Sequence, residues 1–103
     1  MTNSRHFTDD QGNPAGGQSY GRGFTIEWQN GPLGRGEHRQ APNGAFVEDV
    51  IGAAIDRLEY FQRGKFACDA NAEAVTYLHL ALRRLEARTA EREARGVEGT
   101  LEP

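Results

Sequence analysis

Arginine residues are concentrated near the end of the chain, where five of the thirteen positions from Arg83 to Arg95 are arginine. Arg84, Arg88 and Arg92 are four residues apart, so on a helix they would share one face and repel each other by roughly a few tenths of a kcal/mol per pair. A guanidinium group binds phosphate through two parallel hydrogen bonds, so a phosphate-containing ligand would offset that repulsion. The spacing indicates a phosphate site. The alternative is a solvated helix face, because Glu91 lies three residues after Arg88.

The segment that follows the arginines could close around a small polar ligand. This tail motif, Gly96–Thr100, combines two flexible glycines with a carboxylate and a hydroxyl, in the order Gly96, Val97, Glu98, Gly99, Thr100. Such groups can donate and accept hydrogen bonds at close range. The alternative is a frayed chain end.

Phe61 and Asn71 flank a short link that contains Gly64. A phenyl ring and a side-chain amide could together hold an adenine-like base, by stacking and by hydrogen bonding. The alternatives are that Phe61 is a core residue and that the Asn71 amide hydrogen-bonds within its own turn. In an antiparallel helical hairpin, this end lies far from Arg88 and Arg92, so a joint site would need a second subunit.

No recognisable catalytic or metal-binding pattern is present. His6, His38, His79 and Cys68 are scattered, with no nucleophile at a known spacing from a base and no structural zinc pattern. We therefore expect no enzyme activity, no cofactor and no metal site.

Composition excludes several further classes. A net charge of −3 over 103 residues disfavours a duplex nucleic-acid binder, which needs a basic surface. No apolar run reaches the roughly 18 residues of a membrane span, and residues 1–10 lack the apolar stretch of a secretory signal. We expect an intracellular protein without a membrane partner.

The apolar periodicity predicts an α+β fold. Phe24, Ile26 and Trp28 alternate with polar residues, which is typical of a half-buried strand. From residue 45 the apolar spacing changes to three and four, which predicts helices over about 45–62 and 69–95, made antiparallel by the short link at 63–68. Asn43 is a plausible N-cap of the first helix.

The remaining segments carry weaker patterns. Residues 1–20 are rich in glycine and polar residues, which predicts a disordered arm. Residues 33–45 offer only a weak strand around 36–40, or a loop. The predicted organisation is thus a disordered arm at 1–20 and a single domain at 21–103, with a short strand or hairpin before the helical hairpin.

The predicted elements cannot cover their own apolar surface, which predicts a homo-oligomer of at least two chains, formed through the helices. The large aromatic residues that need covering are Phe24, Trp28, Phe46, Tyr60, Phe61 and Phe66. The alternative function is a protein-interaction module in which the second helix binds a partner and no small molecule is involved.

Three segments, residues 66–74, 81–89 and 92–100, resemble the phage Thoeris anti-defence sponge proteins. The strand at 24–28 and the turn at 29–32 are also similar, so the resemblance covers most of residues 24–100. Members of that family bind cyclic nucleotide signals without hydrolysing them. The resemblance implies a protein of the host cytoplasm that sequesters cyclic ADP-ribose isomers made by bacterial TIR-domain enzymes, and so blocks activation of the Thoeris effector.

The resemblance also implies roles for individual residues. Phe61 would stack on the adenine, Asn71 would hydrogen-bond to it, and Arg88 with Arg92 would hold the ring and the pyrophosphate. Thr89 belongs to the same predicted site, which the tail motif would close.

Some relatives form hexamers, as trimers of dimers, and bind cyclic trinucleotides at separate sites. In this chain the candidate residues for such a second site are Arg35, Arg39 and Arg57.

Overall fold

The computed structural model describes residues 2–103 and confirms the α+β class. Three strands come first, β1 (Asn3–Thr8), β2 (Pro14–Gly21) and β3 (Phe24–Trp28), followed by helices α1 (Val47–Gln62) and α2 (Asp69–Ala94). The chain divides into two compact units. The sheet unit comprises the residues up to Phe46 together with Arg92–Pro103, and the hairpin unit is Val47–Glu91.

The sheet is antiparallel, in the order β1-β2-β3, and its first two strands lie in the segment for which the sequence predicts a disordered arm. The turn between β1 and β2 is fixed by Asp9, whose carboxylate accepts hydrogen bonds from the backbone amides of Gln11 and Asn13, each at 2.9 Å. Every residue of β1 is exposed, so pairing with β2, not burial of apolar side chains, holds this strand. This explains why apolar periodicity does not predict β1.

The middle of the sheet depends on a close backbone approach and a small polar cluster. Gly17 has a φ of 141°, and a Cβ atom there would lie 2.2 Å from the carbonyl oxygen of Arg5, so the position requires glycine. The hydroxyl of Ser19, which is buried, accepts a hydrogen bond from Trp28 Nε1 at 2.8 Å and shares another with Ser4 at the same distance. These contacts tie the three strands together.

Side-chain amides shape the connection that follows β3. Gln29 Oε1 accepts from the backbone amide of Asn43 at 2.8 Å, and Asn43 Oδ1 accepts from the backbone amide of Asn30, also at 2.8 Å. Asn43 is therefore not the N-cap of α1, which begins at Val47. Of the two alternatives for residues 33–45, the structure has the loop, with a single 3₁₀ turn at Gly36–His38.

The helices of the hairpin unit are antiparallel. Glu48, near the start of α1, faces Arg88 at 3.8 Å, and Glu59, near the end of α1, faces His79 on α2 at 3.8 Å. Each helix carries a stripe of half-buried side chains, and among the described residues Ile55, at 4% exposure, is the only apolar side chain that is buried.

Much apolar surface of the hairpin unit is left exposed. Phe66 is 67% exposed, Tyr77 is 66% exposed and Leu80 is 53% exposed. Within the part of the chain that is described, neither helix has a stretch long and apolar enough to cross a membrane.

Candidate functional site

The turn between α1 and α2 is closed by two side-chain amides. Gln62 Nε2 donates to the carbonyl oxygen of Cys68 at 3.1 Å, and Gln62 Oε1 accepts from the amide of Cys68 at 3.0 Å. Asn71 Nδ2 donates to the carbonyl oxygen of Phe66 at 3.4 Å. This bond uses the amide nitrogen of Asn71, whereas its carbonyl oxygen is the group that could accept a hydrogen bond from a ligand.

A cavity of about 470 Å³ opens beside this turn. Phe61 lines it, and the guanidinium carbon of Arg57 lies 4.8 Å from the centroid of the Phe61 ring and 5.0 Å from that of Tyr60. Lys65 Nζ lies 5.5 Å from the centroid of the Phe66 ring. Stacking faces and cations thus line one open cavity, a combination suited to an aromatic ligand that carries negative charge.

Arg88 is weakly held by its neighbours. Its side chain is 59% exposed and lies 3.8 Å from a carboxylate oxygen of Glu48, a distance too long for a hydrogen bond. The adjacent Thr89 hydroxyl donates to the carbonyl oxygen of Leu85 at 3.3 Å. The guanidinium of Arg88 can therefore engage an anion without losing a strong bond.

In contrast, the guanidinium of Arg92 already donates hydrogen bonds to residues that follow it in the sequence. Its Nη2 donates to the carbonyl oxygens of Val97 at 3.1 Å and Thr100 at 3.2 Å, and its Nη1 donates to that of Glu102 at 2.7 Å. The helix ends in a Schellman motif, because the amides of Gly96 and Val97 bond to the carbonyls of Glu93 and Arg92, each at 3.0 Å. The tail motif is therefore an ordered structure.

The tail motif also contacts the loop at residues 33–40. Arg39 binds the Glu98 carboxylate through two parallel hydrogen bonds, at 2.8 and 3.1 Å, and Arg35 donates to the carbonyl oxygen of Glu98 at 2.8 Å. The amide of Gly34 donates to the carbonyl oxygen of Gly99 at 2.9 Å. The hydrogen bond from Arg39 lowers the pKa of Glu98 and raises the pKa of Arg39.

The predicted site residues fall into two groups. Phe61, Asn71, Arg88 and Thr89 lie in the hairpin unit, and Arg92 lies with the tail motif in the sheet unit. Of the residues predicted for a second site, Arg35 and Arg39 meet at Glu98, whereas Arg57 contacts the rings of Tyr60 and Phe61.

Sequence reasoning missed part of this arrangement. Tyr60, Lys65 and Phe66 line the turn cavity but were not predicted as site residues. Arg57 lies three residues before Tyr60 and four before Phe61, and residues at these spacings are neighbours on a helix surface. This spacing could have predicted the contact between Arg57 and the two rings. No local pattern links Arg39 to Glu98, which are 59 residues apart. Across residues 2–103, no cluster of potential metal ligands occurs.

Comparisons with known proteins give two matches for this chain, one to a family model and one to a curated relative. Residues 22–90 match the family model described as Acb2/Tad1, hairpin domain. Thoeris anti-defense 1 of Bacillus phage SBSphiJ7 is 50% identical over 82 residues, which are 80% of this chain and 55% of that protein. The chain thus spans about half the length of this curated relative. The matched range 22–90 includes Phe61, Asn71, Arg88 and Thr89, whereas Arg92 and the tail motif lie outside it.

Proposed function

This chain belongs to the Acb2/Tad1 hairpin-domain family, and we propose on that basis that it is a phage anti-defence protein that sequesters a cyclic nucleotide signal of Thoeris immunity. The ligand class is that of the cyclic ADP-ribose isomers. The protein would act in the host cytoplasm, where the signal is made, by lowering its free concentration. The proposed activity is stoichiometric binding without catalysis.

The observation that carries this proposal is the cavity beside the helical turn, which lies within the part of the chain that matches the family. A cyclic ADP-ribose isomer contains an adenine and a pyrophosphate, so its binder needs an aromatic face and cations. Phe61 supplies the face and Asn71 an amide within the hairpin unit. Arg88 lies by Glu48, at the end of the hairpin away from the turn, so its guanidinium group would reach the ligand from a second subunit. Arg92 and the tail motif lie in the sheet unit, and their part in the site stays a prediction from the sequence.

Self-association belongs to the proposal. The exposed side chains of Phe66, Tyr77 and Leu80 are too apolar to remain in water at low cost, and a second copy of this chain would cover them. A dimer is the minimum, and a hexamer built from three dimers is compatible with it. A second site for cyclic trinucleotides at Arg35, Arg39 and Arg57 stays a prediction from the sequence.

A thermal-shift experiment tests the ligand class. A ligand present at 100 times its Kd stabilises the folded protein by about 2.7 kcal/mol, which for a chain of this size raises the Tm by about 10–20 °C. We expect this rise with at least one cyclic ADP-ribose isomer and none with linear ADP-ribose. An unchanged Tm with every cyclic isomer would contradict the proposal, and the protein-interaction module would then be the better explanation.

A further inference from the structure

We propose that Arg39, Arg35 and Glu98 form a latch, controlled by the charge on Glu98, that holds the tail motif against the loop at residues 33–40. The latch itself consists of contacts within the sheet unit, and it can be tested without ligand.

The first argument is geometric. The guanidinium of Arg39 donates both Nη groups to the two oxygens of the Glu98 carboxylate, at 2.8 and 3.1 Å, the arrangement that gives Arg–carboxylate pairs their directional strength. Arg39 Nη1 also donates to the carbonyl oxygen of Gly34 at 3.1 Å. One side chain therefore bonds the loop and the tail motif at once.

The second argument is the close approach of two backbones. Gly99 has a φ of 79°, and a Cβ atom there would lie 2.4 Å from the carbonyl oxygen of Gly34. The same glycine accepts a hydrogen bond from the Gly34 amide at 2.9 Å. The position therefore requires glycine both for its backbone conformation and for its contact. A tail that only frayed at the chain end would have neither requirement.

The third argument is that arginines which could otherwise bind an anion already donate hydrogen bonds to the tail motif. Arg39 is committed to Glu98, and Arg35 donates to the carbonyl oxygen of the same residue at 2.8 Å. Arg92 is tied to the tail motif and the residues after it through three carbonyl oxygens. Arg35 and Arg39 bond the tail motif from the loop, and Arg92 bonds it from α2, so hydrogen bonds within the chain fix its position.

Charge on Glu98 should control the latch. The groups that act on its carboxylate are Arg39, Arg35 and Arg92, which lower its pKa below the ordinary value of 4.5, while Glu93 acts on Arg39. Because the folded pKa lies below the unfolded one, the latch contributes its full stability above about pH 4.5. That contribution is lost as the pH falls through the folded pKa.

Amide hydrogen exchange of the full-length protein, without added ligand, tests the latch. The Gly34 amide is the reporter, because it donates to Gly99, and the amides between β2 and β3 are the internal reference. We expect Glu98→Gln and Arg39→Gln each to speed Gly34 exchange by about three- to tenfold at neutral pH, with unchanged reference amides. In the wild type, Gly34 protection should fall on acidification, and in Glu98→Gln it should not.

Glu37→Gln is the matched control. It removes a carboxylate from the same loop, but that side chain is 90% exposed, and its Oε1 lies 3.9 Å from His38 Nε2. It should leave Gly34 exchange unchanged.

A variant with both charges reversed, Arg39→Glu with Glu98→Arg, should restore most of the Gly34 protection. Wild-type protection of Gly34 in both single variants would overturn the latch. Equal loss of protection at Gly34 and at the sheet amides, with no recovery in the reversed variant, would overturn it too. A latch that is confirmed in a chain that binds no cyclic nucleotide would refute the proposed function alone.

Discussion

At the scale of single residues, Arg88 is the sharpest test of the proposed site. It is exposed and lies 3.8 Å from Glu48, so Arg88→Ala should cost less than about 1 kcal/mol of folding stability. If its guanidinium binds the pyrophosphate, the same change should weaken ligand binding by about 1.5–3 kcal/mol. Arg88→Lys should recover only part of this loss, because lysine lacks the planar fork.

Calorimetric titration with a cyclic ADP-ribose isomer measures this difference. Arg22→Ala is the control, since Arg22 is also exposed and lies in the turn between β2 and β3, away from the arginines of α2. Its affinity should match that of the wild type. Equal affinities in the Arg88 and Arg22 variants would remove Arg88 from the site.

Candidate residues of the site can be recognised in the sequence, but the contacts that these residues make in the fold cannot. The clustering of arginines at 83–95 and the polarity of the tail motif are visible in the sequence, and so is the aromatic face of Phe61. The bonds from Arg92 to Val97 and Thr100 join groups that are close in sequence, yet they depend on the exact path of the chain after α2. The Arg39–Glu98 pair depends on tertiary structure, which no spacing rule encodes.

At the scale of elements, Gly17 tests the sheet that apolar periodicity missed. A Cβ atom at this position would lie 2.2 Å from the carbonyl oxygen of Arg5, whereas Gly23, also at positive φ, has open space around it. Gly17→Ala should therefore cost about 1–3 kcal/mol more than Gly23→Ala, because both carry backbone strain and only the first carries a clash. Urea unfolding of the two variants, followed by Trp28 fluorescence, gives the difference.

A similar loss of stability in both glycine variants would mean that β1 does not pair with β2 as described. In that case residues 1–20 would behave as the disordered arm that their composition suggests.

The elements that apolar spacing defines were predicted well. β3 was predicted at its observed bounds, and both helices were predicted to within about two residues, because a stripe of large apolar side chains marks each of them. β1 and β2 have no such stripe. They are held by pairing and by the Ser19 cluster, and glycine, which composition links with disorder, is what allows Gly17 to fit against β1.

At the scale of the whole molecule, the exposed apolar side chains predict self-association. Light scattering should give a mass of at least twice the 11.4 kDa of one chain. Leu80→Glu places a charge among exposed apolar groups and should raise the Kd of association by about tenfold or more, because an unpaired charge is costly to bury.

Gln40→Glu, which adds the same charge to an exposed polar position in the loop, should leave the mass unchanged. A strictly monomeric wild-type protein at micromolar concentration would argue against a ligand site that draws residues from two subunits.

The central claim, that the protein holds a cyclic signal without converting it, is tested most directly by one titration followed by recovery of the ligand. We predict a saturable heat of binding with a cyclic ADP-ribose isomer at a Kd below roughly 1 μM. Heat denaturation of the complex should then release the ligand with its ring intact. The absence of binding by every cyclic isomer would contradict the claim, and so would the release of a linear product.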